Sequence, residues 1–340
     1  MTGIHGLSSA SASSVALAAL GAVVISIVLS STMGFLGGKK WKAQGKHVFV
    51  TGGSQGLGLA VAELLASKGA NVTICSRTES KLREAVGRVK AAAKSDQQTI
   101  EYVAADVSTF EGAKKAIASC SSVPDTVFCC AGGAKPGFFI DQTESDFEHG
   151  MRTDYWTSLG TAHAAANAMA RNKVVDGKIV LVSSTVGLIG LIGYSQYGPM
   201  KHAIRGLAES LRSELILYGI SVHAYFPGTI FSPGLEEENK TKPKITVEIE
   251  GTEDGSTPAQ CAKGLIKGIE RGHFFITTDF GTELFRVAAL GAAPANRGLV
   301  DRATALIAWI AIPVWRTFIA DRMIKKHRKE HAQSLAQQPK

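Results

Sequence analysis

Paired cysteines, internal repeats and a charge excess in the central region are all missing from this sequence. The five cysteines follow no CxxC or zinc-ligand spacing, and two of them, Cys129 and Cys130, are adjacent. That pattern supports neither a disulfide framework nor a metal site, and it favours a reducing, cytosol-facing compartment. No tandem repeat or low-complexity tract is present, which argues against solenoid and fibrous architectures.

Basic residues are concentrated near the two ends of the chain, which carries a formal net charge of +8. Two clusters hold nine of the 37 basic residues, and their members are Lys39, Lys40, Lys42 and Lys46, then Arg322, Lys325, Lys326, Arg328 and Lys329. The other 28 nearly balance the 29 acidic residues. A neutral body without a binding motif argues against nucleic acid as a partner. Because both clusters lie beside apolar segments, they predict contact with anionic lipid.

The amino-terminal segment has no Asp, Glu, Lys or Arg before Lys39. Residues 15–36 form an apolar run of 22 residues, which as a helix would measure about 33 Å and cross a bilayer core of roughly 30 Å. A cleaved signal peptide is the alternative, although the run is long and its amino end carries no cation. The lysines that follow place the rest of the chain in the cytosol by the positive-inside rule. We therefore predict a retained transmembrane anchor within residues 1–40.

A second apolar segment, residues 303–315, covers only 13 residues between charged flanks. It is too short to span a bilayer comfortably, so an interfacial or re-entrant helix is the favoured prediction, with a buried helix of the globular domain as the alternative. Together with the basic tail it defines a predicted membrane-associated part, residues 284–340. The globular domain is predicted to occupy residues 41–283.

The central region alternates short β-rich runs with helical patterns. The strand-like runs lie at 47–51, 71–76, 99–106, 125–131, 177–184 and 220–227, and helical patterns lie at 58–69, 81–94 and 200–219. A helix–strand unit follows at 257–277. Strands buried on both faces with helical crossovers are typical of a doubly wound parallel sheet. The one long irregular stretch, residues 228–256, is a predicted lid.

The segment TGGSQGLG, Thr51 to Gly58, follows the first predicted strand and opens the first predicted helix. Its glycines, Gly52, Gly56 and Gly58, permit a tight turn and a close approach of backbone to a pyrophosphate at the helix N-terminus. The same letters contain the GxSxG pattern of a hydrolase nucleophile elbow. That elbow normally follows several strands and needs a later acid and histidine, so a dinucleotide site is preferred.

The end of the second predicted strand indicates which dinucleotide binds. A carboxylate usually stands there to bond the 2′-hydroxyl of an NAD ribose, whereas this chain has Ser76 and Arg77. Arg77, with Ser54 and Lys81 nearby, suits a 2′-phosphate, so NADPH is the predicted cofactor; a solvated loop charge is the alternative for Arg77. Other predicted cofactor contacts are Gln55, Asp106 and Val107.

A tyrosine and a lysine stand four residues apart in YGPMK, Tyr197 to Lys201. Pro199 suits the first turn of a helix, and a helix beginning near Tyr197 places both side chains on one face. A lysine ammonium one turn away stabilises phenolate, so we expect it to lower the tyrosine pKa from its usual value of about 10. Ser184 ends the fifth predicted strand and is placed to hold a substrate carbonyl oxygen.

These motifs together resemble the short-chain dehydrogenase/reductase family. The resemblance covers residues 46–277 and is carried by TGxxxGxG, D-V-S at 106–108, C-A-G at 130–132, Ser184 and Tyr-x-x-x-Lys. It implies one Rossmann-type sheet, catalysis by Ser184, Tyr197 and Lys201, and a position near nicotinamide for Thr229. The family often has an asparagine where this chain has Asp154, so a relay with Lys201 is either lost or carried by a carboxyl group and a water.

A narrower resemblance rests on SPGLEEENKTKP, residues 232–243, together with Ser-Arg at 76–77 and the apolar amino-terminal segment. These features look like the 3-ketodihydrosphingosine reductases of sphingolipid synthesis. The resemblance implies NADPH-dependent reduction of a long-chain sphingoid ketone at the cytosolic face of the endoplasmic reticulum membrane, with the bilayer as a partner, and it allows a homo-oligomer. A reductase of steroids or retinoids and an inactive NADP-binding scaffold are the alternatives.

Overall fold

Seven strands form one parallel sheet in the described part of the chain, which is residues 41–251 and 255–337 of a computed structural model. The strands are β1 His47–Thr51, β2 Asn71–Ser76, β3 Ile100–Ala104, β4 Thr126–Cys129, β5 Gly177–Val182, β6 Ile220–Tyr225 and β7 Phe275–Ile276. Their order in space is β3-β2-β1-β4-β5-β6-β7, so the winding reverses between β1 and β4. The predicted Rossmann-type sheet is confirmed.

Four strands end two residues earlier than the sequence predicts. β3, β4, β5 and β6 end at residues 104, 129, 182 and 225, where the apolar patterns extend to 106, 131, 184 and 227. The residues beyond each strand have left the sheet at its carboxyl edge. Because the strands are parallel, these short extensions all meet there, at the usual ligand-binding edge of such a sheet.

Helices cover both faces of the sheet, which is why β1, β4 and β5 are buried along their whole length. The principal helices are α1 Gly56–Ser67, α2 Glu79–Ala92, α3 Phe110–Ala118, α4 Glu144–Gly150, α5 Thr157–Arg171, α6 Gly198–Glu214, α7 Pro233–Asn239, α8 Lys244–Glu250, α9 Pro258–Glu270, α10 Phe280–Ala288 and α11 Gly298–Trp315. A π-helical turn at Met151–Trp156 joins α4 to α5. Helices α1, α2 and α9 pack on one face, while α3, α5 and α6 pack on the other.

The predicted lid, residues 228–256, contains two short helices rather than irregular chain. Ser232 caps α7 by accepting a hydrogen bond from the backbone N–H of Leu235, and Pro233 occupies the first helical position. Pro243 is the residue immediately before α8. Proline at a helix start is favoured because its fixed φ suits the first turn and no N–H is lost. The segment is therefore an ordered element over the carboxyl edge of the sheet, with residues 252–254 outside the described ranges.

The predicted apolar segment near the carboxyl terminus is part of a much longer helix. α11 continues through a π-helical turn at Arg316–Ala320 into α12, Asp321–Lys326, and then α13, Arg328–Gln337. Over Gly298–Gln333 this carboxyl-terminal helix is long and apolar enough, by length and composition, to cross a membrane. Most of its apolar side chains are exposed, including Trp309 at 73%, so the alternative of a buried helix is wrong. The predicted anchor in residues 1–40 lies outside the described residues.

A buried ion network ties the carboxyl-terminal helix to the sheet. The Arg286 guanidinium contacts the Asp301 carboxylate at 2.9 Å, with both side chains inaccessible to solvent, and its Nε donates to Glu283 at 2.7 Å. Asn296 Nδ2 donates to the carbonyl of Phe275 in β7 at 2.6 Å. Breaking such a buried pair by removing one partner is strongly destabilising, so the start of this helix is fixed. The boundary predicted after residue 283 falls within α10.

Candidate active site

The glycine turn after β1 has the geometry that a pyrophosphate cradle requires. Gly52 and Gly56 have φ of +65° and +57°, in the region that favours glycine. A Cβ at Gly52 would lie 3.0 Å from the backbone after β4, and one at Gly58 would lie 2.4 Å from the Gly52 carbonyl oxygen. Close packing therefore excludes side chains here, and the start of α1 faces a cavity of about 1620 Å³ at the carboxyl edge.

All the residues predicted to contact the cofactor line this one cavity, and they are Gly52, Ser54, Gln55, Gly56, Gly58, Arg77, Lys81, Asp106, Val107, Tyr197, Lys201 and Thr229. Ser76 lines it too, and its buried hydroxyl has no hydrogen-bond partner among the described residues. An orphaned buried hydroxyl signals a missing partner. Arg77 and Lys81 are exposed on the same side, so the cavity fits a dinucleotide that carries an extra phosphate at this end.

Two carboxyl-edge residues shape the far end of the cavity. Asp106 accepts a hydrogen bond from the backbone N–H of Ser108 at 3.0 Å, and this bond, helped by Arg77, holds the pKa of Asp106 below its usual value. Val107 is buried beside it. The Asp106 carboxylate suits the polar edge of a nucleobase, and the apolar Val107 side chain suits its flat face.

Tyr197 and Lys201 lie together at the start of α6, as the sequence predicts. Tyr197 is the residue that precedes the helix, and the Lys201 Nζ lies 5.1 Å from the centroid of its ring. Ser184 follows β5 at the sheet edge and lines the same cavity as Tyr197. The three side chains converge on one wall of the cavity.

Asp154 forms a direct ion pair with Lys201, at 3.2 Å between Oδ1 and Nζ. The side chains of the two residues are 0% and 4% exposed, and the Gly133 N–H donates to the same carboxylate oxygen at 3.2 Å. A Cβ at Gly132 would lie 2.6 Å from that oxygen, so the loop after β4 needs glycine to receive it. Asp154 therefore contacts Lys201 directly, whereas its part in a proton relay stays a prediction.

The pKa of Tyr197 differs from the expected one. Burial raises it to about 12, although the Lys201 ammonium acts in the predicted downward direction. The carboxylates of Asp154 and Glu238 add to the rise, and the hydrogen bond from Ser184 opposes it. Burial would lower the pKa of Lys201, but Tyr197 and Asp154 together raise it. The lysine thus acts in the expected direction, but desolvation of the phenolate outweighs it in the cavity without a cofactor.

The lid closes over this wall through a cluster that the sequence analysis did not identify. The Tyr194 hydroxyl contacts Glu238 at 2.5 Å and Glu250 at 2.6 Å. Lys242 bridges the same two carboxylates at 2.9 and 2.8 Å. The Tyr194 ring lies 5.9 Å from the Tyr197 ring. The only local signal in the sequence is a second tyrosine three residues before Tyr197, and its partners lie more than forty residues away.

The chain was compared with known protein families and curated proteins. The family model described as short chain dehydrogenase matches residues 46–243. The chain belongs to the short-chain dehydrogenase family. A 3-ketodihydrosphingosine reductase of Cryptococcus neoformans is 37% identical over 297 residues, which cover 86% of this chain and 88% of the relative. A 3-ketodihydrosphingosine reductase of Dictyostelium discoideum is 38% identical over 290 residues, with coverage of 81% and 85%.

Solved structures support the same fold. A short-chain dehydrogenase from Sphingobium yanoikuyae in complex with NADPH superposes with a TM-score of 0.60 at 21% identity, covering 68% of this chain and 87% of that one. One from Mycobacterium paratuberculosis bound to NAD gives a TM-score of 0.61 at 24% identity, with coverage of 71% and 99%. As a member of the family, this short-chain dehydrogenase is an oxidoreductase that uses a nicotinamide dinucleotide.

Replacing Arg77 tests which dinucleotide the cavity prefers. We expect Arg77→Asp to raise the Kd of NADPH by at least about tenfold, because a charge-assisted hydrogen bond is lost and a carboxylate faces the phosphate. The Kd of NADH should change little. The matched control is Arg88→Asp, which makes the same charge change on α2 outside the cavity. Equal losses for both dinucleotides, measured by fluorescence titration, would show that Arg77 does not contact the 2′ position.

Replacing Asp154 tests the electrostatics of the buried pair. Asp154→Asn removes a charge that raises the pKa of Tyr197 and leaves Lys201 uncompensated. The tyrosine pKa should therefore fall, and the alkaline limb of the pH profile of ketone reduction should move about one unit lower, equivalent to about 1.4 kcal/mol. Thermal melting of the variant controls for folding. An unmoved alkaline limb in a folded variant would contradict this assignment.

Proposed function

We propose that this protein is an NADPH-dependent 3-ketodihydrosphingosine reductase, which reduces a long-chain keto amine to dihydrosphingosine in sphingolipid synthesis. The observation that carries the proposal is the convergence of Ser184, Tyr197 and Lys201 on the wall of the dinucleotide cavity. The curated relatives that share more than a third of the sequence over most of the chain bear this activity in their names. An inactive scaffold is disfavoured because the three side chains are present and line one cavity.

The proposed chemistry follows from the positions of these side chains. Bound in the cavity, the reduced nicotinamide supplies a hydride for the carbonyl carbon. The Ser184 hydroxyl bonds the carbonyl oxygen, and the Tyr197 hydroxyl gives that oxygen its proton. A phenol whose pKa is raised to about 12 keeps this proton at neutral pH, so the site is prepared for reduction. Lys201, held by Asp154, stabilises the phenolate that remains until a proton returns.

The proposed cofactor contacts use the cavity residues described above. The glycine turn would hold the pyrophosphate, and Arg77 with Lys81 and Ser54 would bind the 2′-phosphate. Asp106 and Val107 would contact adenine, and Thr229 would approach the carboxamide. These side chains already line one continuous cavity, which supports the choice of NADPH.

The lid favours an amine-bearing substrate over a steroid or retinoid. Four glutamates of residues 236–250 line the cavity, against two lysines in the same segment, Lys240 and Lys242. A sphingoid base carries a cation beside its ketone, whereas steroids and retinoids carry none. The two lysines pair with Glu237, Glu238 and Glu250, which leaves a net negative charge that includes Glu236. That net charge favours a cationic substrate over a neutral one.

The carboxyl-terminal helix is proposed to bring the cavity to the bilayer. Its exposed apolar residues are Leu306, Ile307, Trp309, Ile310, Val314, Phe318 and Ile319, and basic residues follow at 322–329. Trp315 on this helix lines the cavity and packs on Phe285 at 5.8 Å. Extracting an alkyl tail into water costs about 0.8 kcal/mol per CH₂, so a cavity that opens against lipid avoids a prohibitive step.

We also propose the three-part organisation expected from the sequence, with a membrane anchor within 1–40, an NADP-binding catalytic domain, and membrane-associated helices with a basic tail. The boundary between the last two parts moves from residue 283 to the end of α10, because residue 283 lies within that helix. The proposed location is the endoplasmic reticulum membrane, with the catalytic domain on the cytosolic side. The positive-inside charge pattern and the reduced cysteines agree with that orientation.

A ketone panel tests the proposed activity. With NADPH, the detergent-solubilised protein should reduce 3-ketodihydrosphingosine at a rate at least about tenfold above that for a steroid ketone or for no substrate. Only the sphingoid ketone has both an amine for the lid carboxylates and an alkyl tail for the apolar surface. Oxidation of NADPH, followed by absorbance, is the measurement. A higher rate with the steroid ketone would support the alternative reductase, and no oxidation above background would support the inactive scaffold.

The same assay tests the membrane part. A chain ending after Asp301 retains the residues of the buried ion network but loses the exposed apolar helix. Its rate on the long-chain ketone in vesicles should fall much more than its rate on a short, soluble keto amine. If the ratio of the long-chain rate to the short-chain rate were the same in the truncated and intact proteins, the proposal that substrate is supplied from the bilayer would be contradicted.

A further inference from the structure

A second cavity, of about 600 Å³, lies beside the dinucleotide cavity and has no role in the chemistry described above. Its lining residues are Phe138, Phe139, Gly190, Leu191, Ile192, Gly193, Tyr194, Ser195, Gly198, Pro199 and His202. We name it the tail groove. We propose that the tail groove binds the hydrocarbon chain of the lipid ketone while the ketone lies at Tyr197, an inference that rests on the proposed function.

Most of the surface of the tail groove is apolar, because polar side-chain atoms in its lining have hydrogen-bond partners within the protein. The Ser195 hydroxyl donates to Gln142 Oε1 at 2.8 Å, and the His202 Nδ1 bonds the Gly198 carbonyl at 3.0 Å. The Tyr194 hydroxyl is held by Glu238 in the lid. These polar atoms already have partners, so the surface left for a ligand consists largely of aliphatic and aromatic carbon, which suits an alkyl chain.

The tail groove begins where the reacting ketone would lie. Leu191 and Tyr194 line both cavities, and the Tyr194 ring is 5.9 Å from the ring of Tyr197. One side of this short segment therefore faces the dinucleotide cavity and the other faces the groove. The two cavities therefore share a boundary next to Tyr197, within reach of a chain attached to the carbonyl carbon.

The outer end of the tail groove lies by the proposed membrane face. Phe139 and Ile140 are 67% and 61% exposed at its rim. The Arg316 guanidinium donates to the Gly190 carbonyl at 2.6 Å, and the Phe138 ring packs on His331 at 4.5 Å. The carboxyl-terminal helix is thus attached to the rim, and both the helix and the rim expose apolar side chains. This continuity selects a lipid tail, supplied from the bilayer, as the occupant.

Two variants alter the tail groove in different ways. Gly190→Trp adds bulk where a Cβ meets no atom within 4 Å and the backbone is not in the glycine region. Ile192→Asp leaves the volume available but places a carboxylate on the apolar lining. Gly206→Trp is the matched control, since Gly206 also has open space for a side chain but lies on α6 outside the groove.

The measurement is kcat/KM for a long-chain keto amine and for its short-chain homologue, with NADPH in mixed micelles. Both groove variants should lower the long-chain value at least tenfold, equivalent to about 1.4 kcal/mol, and leave the short-chain value within twofold. The control should change neither. An unchanged ratio in both groove variants, with the unaltered protein active, would overturn the tail groove alone. Inactivity of the unaltered protein on both ketones would contradict the proposed function instead.

Discussion

The ion pair between Lys201 and Asp154 is the contact on which the geometry of the site depends. It joins three elements, which are the start of α6, the π-helical turn after α4, and the glycine loop after β4. Both side chains are buried, so losing either partner would leave an uncompensated charge inside the protein. The pair fixes the lysine beside Tyr197 and partly cancels its charge there. The tyrosine therefore stays a phenol, the form that gives up a proton to a reduced carbonyl oxygen.

The parallel sheet supplies the positions that this pair connects. Because all seven described strands run the same way, the segments that follow them meet at one edge. The glycine turn, Arg77, Asp106 and Ser184 each follow a different strand, and they line one cavity. The lid, the carboxyl-terminal helix and the tail groove lie around that same edge. A polar cofactor and a lipid substrate thus approach one reacting atom from different directions.

Features encoded by local spacing could be predicted from the sequence, whereas features that depend on distant contacts could not. The glycine turn, the strands and the Tyr197–Lys201 pair follow from periodicity and from a spacing of one helical turn. The contact of Asp154 with Lys201 joins residues far apart in the chain. The presence of an aspartate where the family often has an asparagine does not by itself indicate where that side chain lies. The direction of the Tyr197 pKa shift depends on burial, which cannot be predicted from the spacing of Tyr197 and Lys201 in the sequence. The lid helices are only seven residues each, which is too short for hydrophobic periodicity to reveal them.

The central claim is that the Tyr197 hydroxyl gives its proton to a ketone reduced by NADPH in this cavity. Tyr197→Phe tests it most directly, because the variant loses one oxygen atom and keeps the ring. The measurements are single-turnover reduction of the long-chain ketone and the Kd of NADPH. We predict that the reduction rate falls by about 10²–10⁴-fold, the usual contribution of a positioned proton donor, while the Kd stays within about twofold because the ring and Lys201 remain. A variant that kept more than about a tenth of the rate would contradict the account, since the proton would then have another source.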